Sequence, residues 1–224
     1  MIGLIAAFII AMALSVTCTP LLIRFLVLHQ YGQFIRQDGP TQHLTKRGTP
    51  TMGGVVIILA TVAAWLIGSL VAGAGPSWSG LLLVFLFVGL GVIGLLDDGI
   101  KIMRQRSLGL HPSGKIIGQV AVASLFALGT LIMPNEFGEY AGTLEISFAR
   151  PTALTLGFAG LGVGVVLYLI WTNLIVTAWS NATNLTDGLD GLAAGVSIFV
   201  FGAYTFITYF QRIQACTQLG ANQS

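Results

Sequence analysis

Asp97 and Asp98 stand side by side in the string Asp97-Asp98-Gly-Ile-Lys101, with a lysine one helical turn beyond the first. Adjacent carboxylates repel one another, so one must hold its proton more tightly unless a cation compensates. Hard oxygen donors beside a substrate phosphate are a common way to hold magnesium, which keeps several of its waters. Lys101 offers the plainer alternative, an intrahelical ion pair with Asp97 at a solvated helix end. The string leaves both readings open.

A second cluster is Asn181-Ala-Thr-Asn184-Leu-Thr-Asp187-Gly-Leu-Asp190-Gly191, between two apolar runs. Its two amides and two carboxylates recur at intervals of three, which predicts a 3₁₀ turn with the four side chains in line. In an α-helix they would drift around the surface instead. Amides and carboxylates together suit hydroxyls and a nucleobase edge, and the carboxylates also suit a metal or an ammonium. Capping is the competing explanation, because Asn and Asp favour turns and helix starts while glycine ends helices. Capping accounts for one or two such residues; four in register, with two Asp-Gly pairs, favour a site.

The third stretch is Lys46-Arg47-Gly48-Thr-Pro-Thr51-Met-Gly53-Gly54. Cations, a glycine and hydroxyls at a helix start suit a phosphate. Basic residues also flank membrane spans by default, and paired glycines allow close helix packing. Taken alone, this stretch is better explained by those defaults. Arg104, Arg106, His111 and Lys115 add positive charge near the aspartate pair, mostly explained by anionic lipid headgroups. The three histidines share no ligand spacing, and Cys18 and Cys216 form no metal motif.

The elements that must position these residues are membrane helices. Of 224 residues, 55% are hydrophobic and 8% charged, with a mean hydropathy of +0.88. An ordinary soluble domain has about a quarter of its residues charged. The fold class expected is all-α, a polytopic transmembrane bundle in a single domain over 1–224, with spans near 3–27, 53–72, 80–97, 115–133, 155–179 and 191–211. The third is expected to be the shortest and the fifth the longest. No cleavable signal peptide is expected, because the first basic residue, Arg24, follows the first apolar run.

Eight of the ten basic residues then fall on one side: Arg24, Arg36, Lys46, Arg47, Lys101, Arg104, Arg106 and Lys115. The positive-inside rule makes that side cytoplasmic and puts the N-terminus outside. The loops 28–52, 98–114 and 180–190, which hold all three motifs, are thereby expected on the cytoplasmic face. The outward linker 134–151 carries the three glutamates, and the alternation of Thr143–Phe148 predicts a small hairpin within about 136–148.

With three motifs in this order on one face, the chain resembles the phospho-N-acetylmuramoyl-pentapeptide transferase family. The resemblance rests on Arg47-Gly-Thr-Pro-Thr-Met-Gly-Gly54, on Asp97-Asp98 with Lys101, and on Asn184-Leu-Thr-Asp-Gly-Leu-Asp-Gly-Leu-Ala193. It implies transfer of a phospho-sugar from UDP-N-acetylmuramoyl-pentapeptide to undecaprenyl phosphate, giving lipid I and UMP, with Mg2+ required. By the same resemblance Asp97 and Asp98 match the paired catalytic aspartates and bind the metal, and Asp187 is a third catalytic residue. Asn181, Asn184 and Asp190 match the nucleotide-sugar pocket, and Lys46, Thr51 and Lys115 match substrate contacts. The implied setting is a bacterial inner membrane, with lipid and a homodimer partner as neighbours and no nucleic acid.

Family members are longer and carry two further cytoplasmic motifs, one with a magnesium-binding aspartate and one rich in histidine. After Ala193 this sequence has no Asp, Glu or His. The expectation is therefore that the 224-residue chain by itself is inactive or partly assembled. Three rival readings remain: a polyprenyl-phosphate N-acetylhexosamine-1-phosphate transferase, a transporter, and a non-catalytic membrane scaffold. Span interiors without charge argue against a translocation path.

Overall fold

The computed structural model describes residues 2–32, 49–73, 75–106, 108–135, 138, 140–146, 152–189 and 191–221, the side chains of 215–221 excepted. The helices are α1 (Ile2–Leu28), α2 (Gly54–Val71), α3 (Trp78–Met103), α4 (Pro112–Ile132), α5 (Leu161–Thr186) and α6 (Leu192–Ala221). Each contains a stretch long and apolar enough to cross a membrane, so this is an all-α, multi-pass membrane protein. Among the described residues strand pairing is limited to isolated bridges.

Helix ends depart from the expected spans where polar residues find local partners. α3 runs for 26 residues rather than ending near 97, and α2, with 18, is the shortest of the six. α5 ends at Thr186, and both α1 and α6 are longer than it. Hydropathy marks the apolar stretch, but backbone hydrogen bonding continues while side chains remain satisfied. In α5, Thr183 and Thr186 donate to the carbonyls of Trp179 (2.9 Å) and Ala182 (2.8 Å). Starts are marked by capping: Ser77 accepts from Gly80 N–H at 3.2 Å, and Pro112 opens α4 after His111.

The chain forms two compact units, Met1–Ala141 and Gly142–Ser224. In the first, α2 buries Val56, Ala60, Ala64 and Gly68, a ridge of mostly small residues at intervals of four. A Cβ on Gly68 would stand 2.7 Å from Ala7 Cβ, and one on Gly3 only 2.6 Å from the Gly68 carbonyl oxygen. α1 and α2 therefore meet backbone to backbone, the arrangement small residues allow in lipid. α3 and α4 use the same device. Ala123 and Ala127 are fully buried, a Cβ on Gly89 would lie 2.8 Å from Val122, and Gly118 seats against Ile93.

In the second unit the chain before α5 folds back on itself. Ile146 N–H donates to Leu154 at 2.9 Å and Leu156 N–H to Leu144 at 2.7 Å, around the Glu145–Thr155 bridge. Of the alternating stretch, Leu144–Ile146 pairs with 154–156, while Ser147 and Phe148 lie outside the described residues. Leu144 packs over Gly157 and Gly164, which ties this segment to the first turn of α5.

Candidate functional site

In the first unit the candidate residues lie on the last turns of α3. Asp97 and Asp98 sit four and three residues before Lys101, so both carboxylates reach one ammonium on the same helical face. Lys101 Nζ lies 2.7 Å from Asp97 Oδ2 and 2.9 Å from Asp98 Oδ1. One lysine thus compensates two acidic groups, and the ion-pair reading of the string is realised for both.

The two aspartates are not equivalent. Asp97 is engaged at both oxygens, because Leu110 N–H donates to Oδ1 at 2.8 Å. Its side chain is 15% exposed against 32% for Asp98. Asp98 Oδ2 has no hydrogen bond among the described residues and remains available. Lys115, in the first turn of α4, adds its charge to the field at Asp97. Among the described residues no cluster of three or more His, Cys, Asp or Glu is present.

The start of α2 reaches the same place. Met52 has a left-handed backbone (φ 68°), which costs a non-glycine residue about 1–2 kcal/mol. A Cβ on Gly99 would lie 3.8 Å from Met52 Cε, so the Met52 side chain rests beside the residue that follows Asp98. Next to it, Thr51 Oγ1 is buried and has no hydrogen-bond partner among the described residues. An orphaned hydroxyl of this kind costs free energy unless a ligand completes it. Lys46 lies outside the described residues.

In the second unit the Asn-Asp cluster corrects the sequence expectation. Asn181 and Asn184 lie in α-helix, not in a 3₁₀ turn, and Asp187 is the C-cap of α5. At intervals of three on an α-helix, successive residues step about 60° around the axis, so only neighbours share a face. Asn181 is half-buried and donates to Thr177 at 2.8 Å. Asn184 and Asp187 are exposed, and Asp187 caps through its backbone N–H to Thr183 (3.2 Å) while its carboxylate makes no hydrogen bond among the described residues. Capping therefore does not consume that side chain. Gly191 (φ 80°) takes the left-handed turn that leads into α6. Asp190 lies outside the described residues.

Sequence reasoning missed the Leu108–His111 loop that holds Asp97 and the strained Met52. Glycine and proline punctuation at Gly109 and Pro112 was the available signal, but it marks a turn without saying what the turn touches.

The described residues thus give a multi-pass helical membrane protein with a lysine-bridged aspartate pair at the end of α3. The chain belongs to glycosyl transferase family 4, whose profile matches residues 80–221. Residues 46–58 match signature 1 of the phospho-N-acetylmuramoyl-pentapeptide-transferases, the stretch that charge and packing defaults alone explained adequately. Proteins named phospho-N-acetylmuramoyl-pentapeptide-transferase are similar over nearly the whole chain. The Beutenbergia cavernae protein is 56% identical over 98% of this chain and 61% of its own length. Those of Paenarthrobacter aurescens and Micrococcus luteus are each 52% identical, over 96% and 98% of this chain. The chain spans about 60% of the length of these relatives.

Proposed function

We propose that this chain carries part of the active site for transfer of phospho-N-acetylmuramoyl-pentapeptide from its UDP carrier to undecaprenyl phosphate. An oxygen of the lipid phosphate forms a bond to the sugar-bearing phosphorus, and the bond from that phosphorus to the UMP oxygen breaks. The products are lipid I and UMP. The observation that carries this reading is the lysine-bridged Asp97–Asp98 pair beside a match to the family's first signature.

Phosphoryl transfer needs positioning and charge neutralisation more than covalent chemistry. Lys101 keeps the two carboxylates together in a region that would otherwise be too negative for an anionic substrate. Asp98 Oδ2 accepts a proton or orients the incoming lipid phosphate. The orphaned Thr51 hydroxyl and the charges of Lys46 and Lys115 hold phosphate oxygens. By the family resemblance Asn181, Asn184, Asp187 and Asp190 bind the nucleotide sugar, since amide and carboxylate groups suit hydroxyls and a base edge. The donor set suits Mg2+, which is commonly bound by one or two carboxylates with substrate phosphates and water; Asp98, with Asp97 beside it, would hold the ion. When bound, Mg2+ supplies positive charge for the phosphate oxygens.

The bias of basic residues supports a cytoplasmic active face in a bacterial inner membrane, and a homodimer belongs to the same proposal. The test is conversion of radiolabelled UDP-N-acetylmuramoyl-pentapeptide to a lipid product in nanodiscs. The assay uses the chain continued with the part of the Beutenbergia cavernae relative that lies beyond the match. Turnover that stops on Mg2+ removal is the expected result. Labelling from UDP-N-acetylglucosamine but not from the muramoyl donor would replace this reading with the hexosamine transferase.

A further inference from the structure

We propose that Gly109 is a positioning residue for the acidic pair: its missing Cβ lets the Leu108–His111 loop clamp Asp97, so that Asp98 alone presents a free carboxylate oxygen. This rests on the proposed function only for its catalytic meaning; the clamp itself is geometric.

A Cβ built on Gly109 would stand 2.6 Å from the Asp97 carbonyl oxygen and 2.8 Å from Asp97 Cγ, and would also overlap Asp97 Oδ1. Real Cβ atoms do not approach this closely, and two of these three atoms belong to a carboxylate already fixed at both ends. Gly109 does not have a positive φ, so the need for glycine here is one of space. The next residue supplies the N–H that holds Oδ1 at 2.8 Å, a hydrogen bond across 13 positions of sequence. Hydrogen bonds to an ionised acceptor are roughly twice as strong as neutral ones. Lys101 takes Oδ2 of the same group.

Two local hydrogen bonds shape the loop. Arg106 Nε donates to the Leu108 carbonyl at 3.0 Å, and His111 Nδ1 lies 2.7 Å from Ser113 Oγ in the first turn of α4. Turning the Asp97 side chain would not relieve the overlap with its backbone carbonyl, so a methyl group is admitted only if the loop shifts off α3, which stretches the Leu110 N–H bond to Oδ1 and releases Asp97.

Carbodiimide labelling of carboxylates in the chain, reconstituted in nanodiscs and read residue by residue by mass spectrometry, tests this without any turnover. Failure of the transferase assay therefore leaves the result intact. In the native chain Asp98 should label and Asp97 should be protected. In Gly109→Ala, Asp97 labelling should rise several-fold while Glu145 and Asp187 stay unchanged. Unchanged protection of Asp97, or an equal rise at all four sites, overturns the proposal. If Gly109→Ala does not fold, the native chain decides: Asp97 protected while Asp98 labels supports the clamp, and Asp97 labelled as readily as Asp98 overturns it.

Discussion

Asp97 at the end of α3 is 15% exposed and engaged at both oxygens. Asp187 at the end of α5 is exposed, with no side-chain hydrogen bond among the described residues. The residue types are alike and the treatment is opposite. In the first unit a lysine and a backbone N–H settle the carboxylate geometry before any ligand arrives. In the second, Asp187 caps through its backbone N–H, and its carboxylate makes no hydrogen bond among the described residues. The difference teaches which groups folding arranges and which, on the proposed function, a ligand would have to arrange. A group fixed in advance loses no orientational freedom when substrate binds, which is where positioned charges gain their effect in phosphoryl and acyl transfer.

The strongest way to break the comparison is to remove the shared cation. Lys101→Met keeps the apolar stem and leaves two carboxylates uncompensated. Turnover of the continued chain should fall on the order of 10²-fold, measured as kcat with saturating donor. The accompanying loss of stability should be small, about 1 kcal/mol or less, because the lysine is partly exposed. An unchanged kcat would mean that the pair is structural and that the α3 end is no more prearranged for reaction than the α5 end.

Next in size is Thr51→Val, which swaps the orphaned hydroxyl for a methyl of similar volume. Replacing an unsatisfied buried hydroxyl should leave the melting temperature unchanged or raise it slightly, since it removes a desolvation cost of about 1–3 kcal/mol. If a substrate phosphate completes that hydroxyl, turnover should nonetheless fall about tenfold, the loss of one hydrogen bond to a charged group. A drop in stability without a change in turnover would place Thr51 among the fold's own contacts.

At the α5 end the expected signature is reversed, with binding affected and folding untouched. Asn184→Ala should raise KM for the UDP donor severalfold while kcat changes little, the pattern of an interaction made equally in ground and transition states. The smallest effect expected is on stability: Asp187→Asn should shift the free energy of unfolding by no more than about 0.5 kcal/mol, as for other exposed substitutions. A large thermal shift from either variant would show that the helix end is held by these side chains after all, and the contrast with α3 would disappear.

Much of this was legible in the sequence. Six apolar stretches in an almost uncharged chain leave only membrane helices, because a backbone in lipid must satisfy its own hydrogen bonds. The motifs Asp97-Asp98 and Asn184 to Asp187 stand out because polar residues beside such stretches need a reason to be there. Hydropathy could not say that α3 continues through Met103 or that α5 continues through Thr186. Those ends depend on local partners such as Lys101 and the threonine hydroxyls, not on transfer to lipid. Periodicity likewise misread 181–187: an interval of three fits a 3₁₀ turn on paper, and the chain chose the longer α-helix in which it was already propagating.

Tertiary structure alone decided the inequality of the two aspartates. Asp97 and Asp98 are identical in type and adjacent in sequence, so nothing local distinguishes them. The distinction comes from a loop that returns to α3 at Gly109 and Leu110, where a missing Cβ makes room and a backbone N–H reaches one carboxylate and not the other. Residue types and spacing determined that acidic groups would meet a lysine at the end of α3. Which of them stayed free was fixed by the packing of a distant backbone, whose contacts are not written in any local pattern.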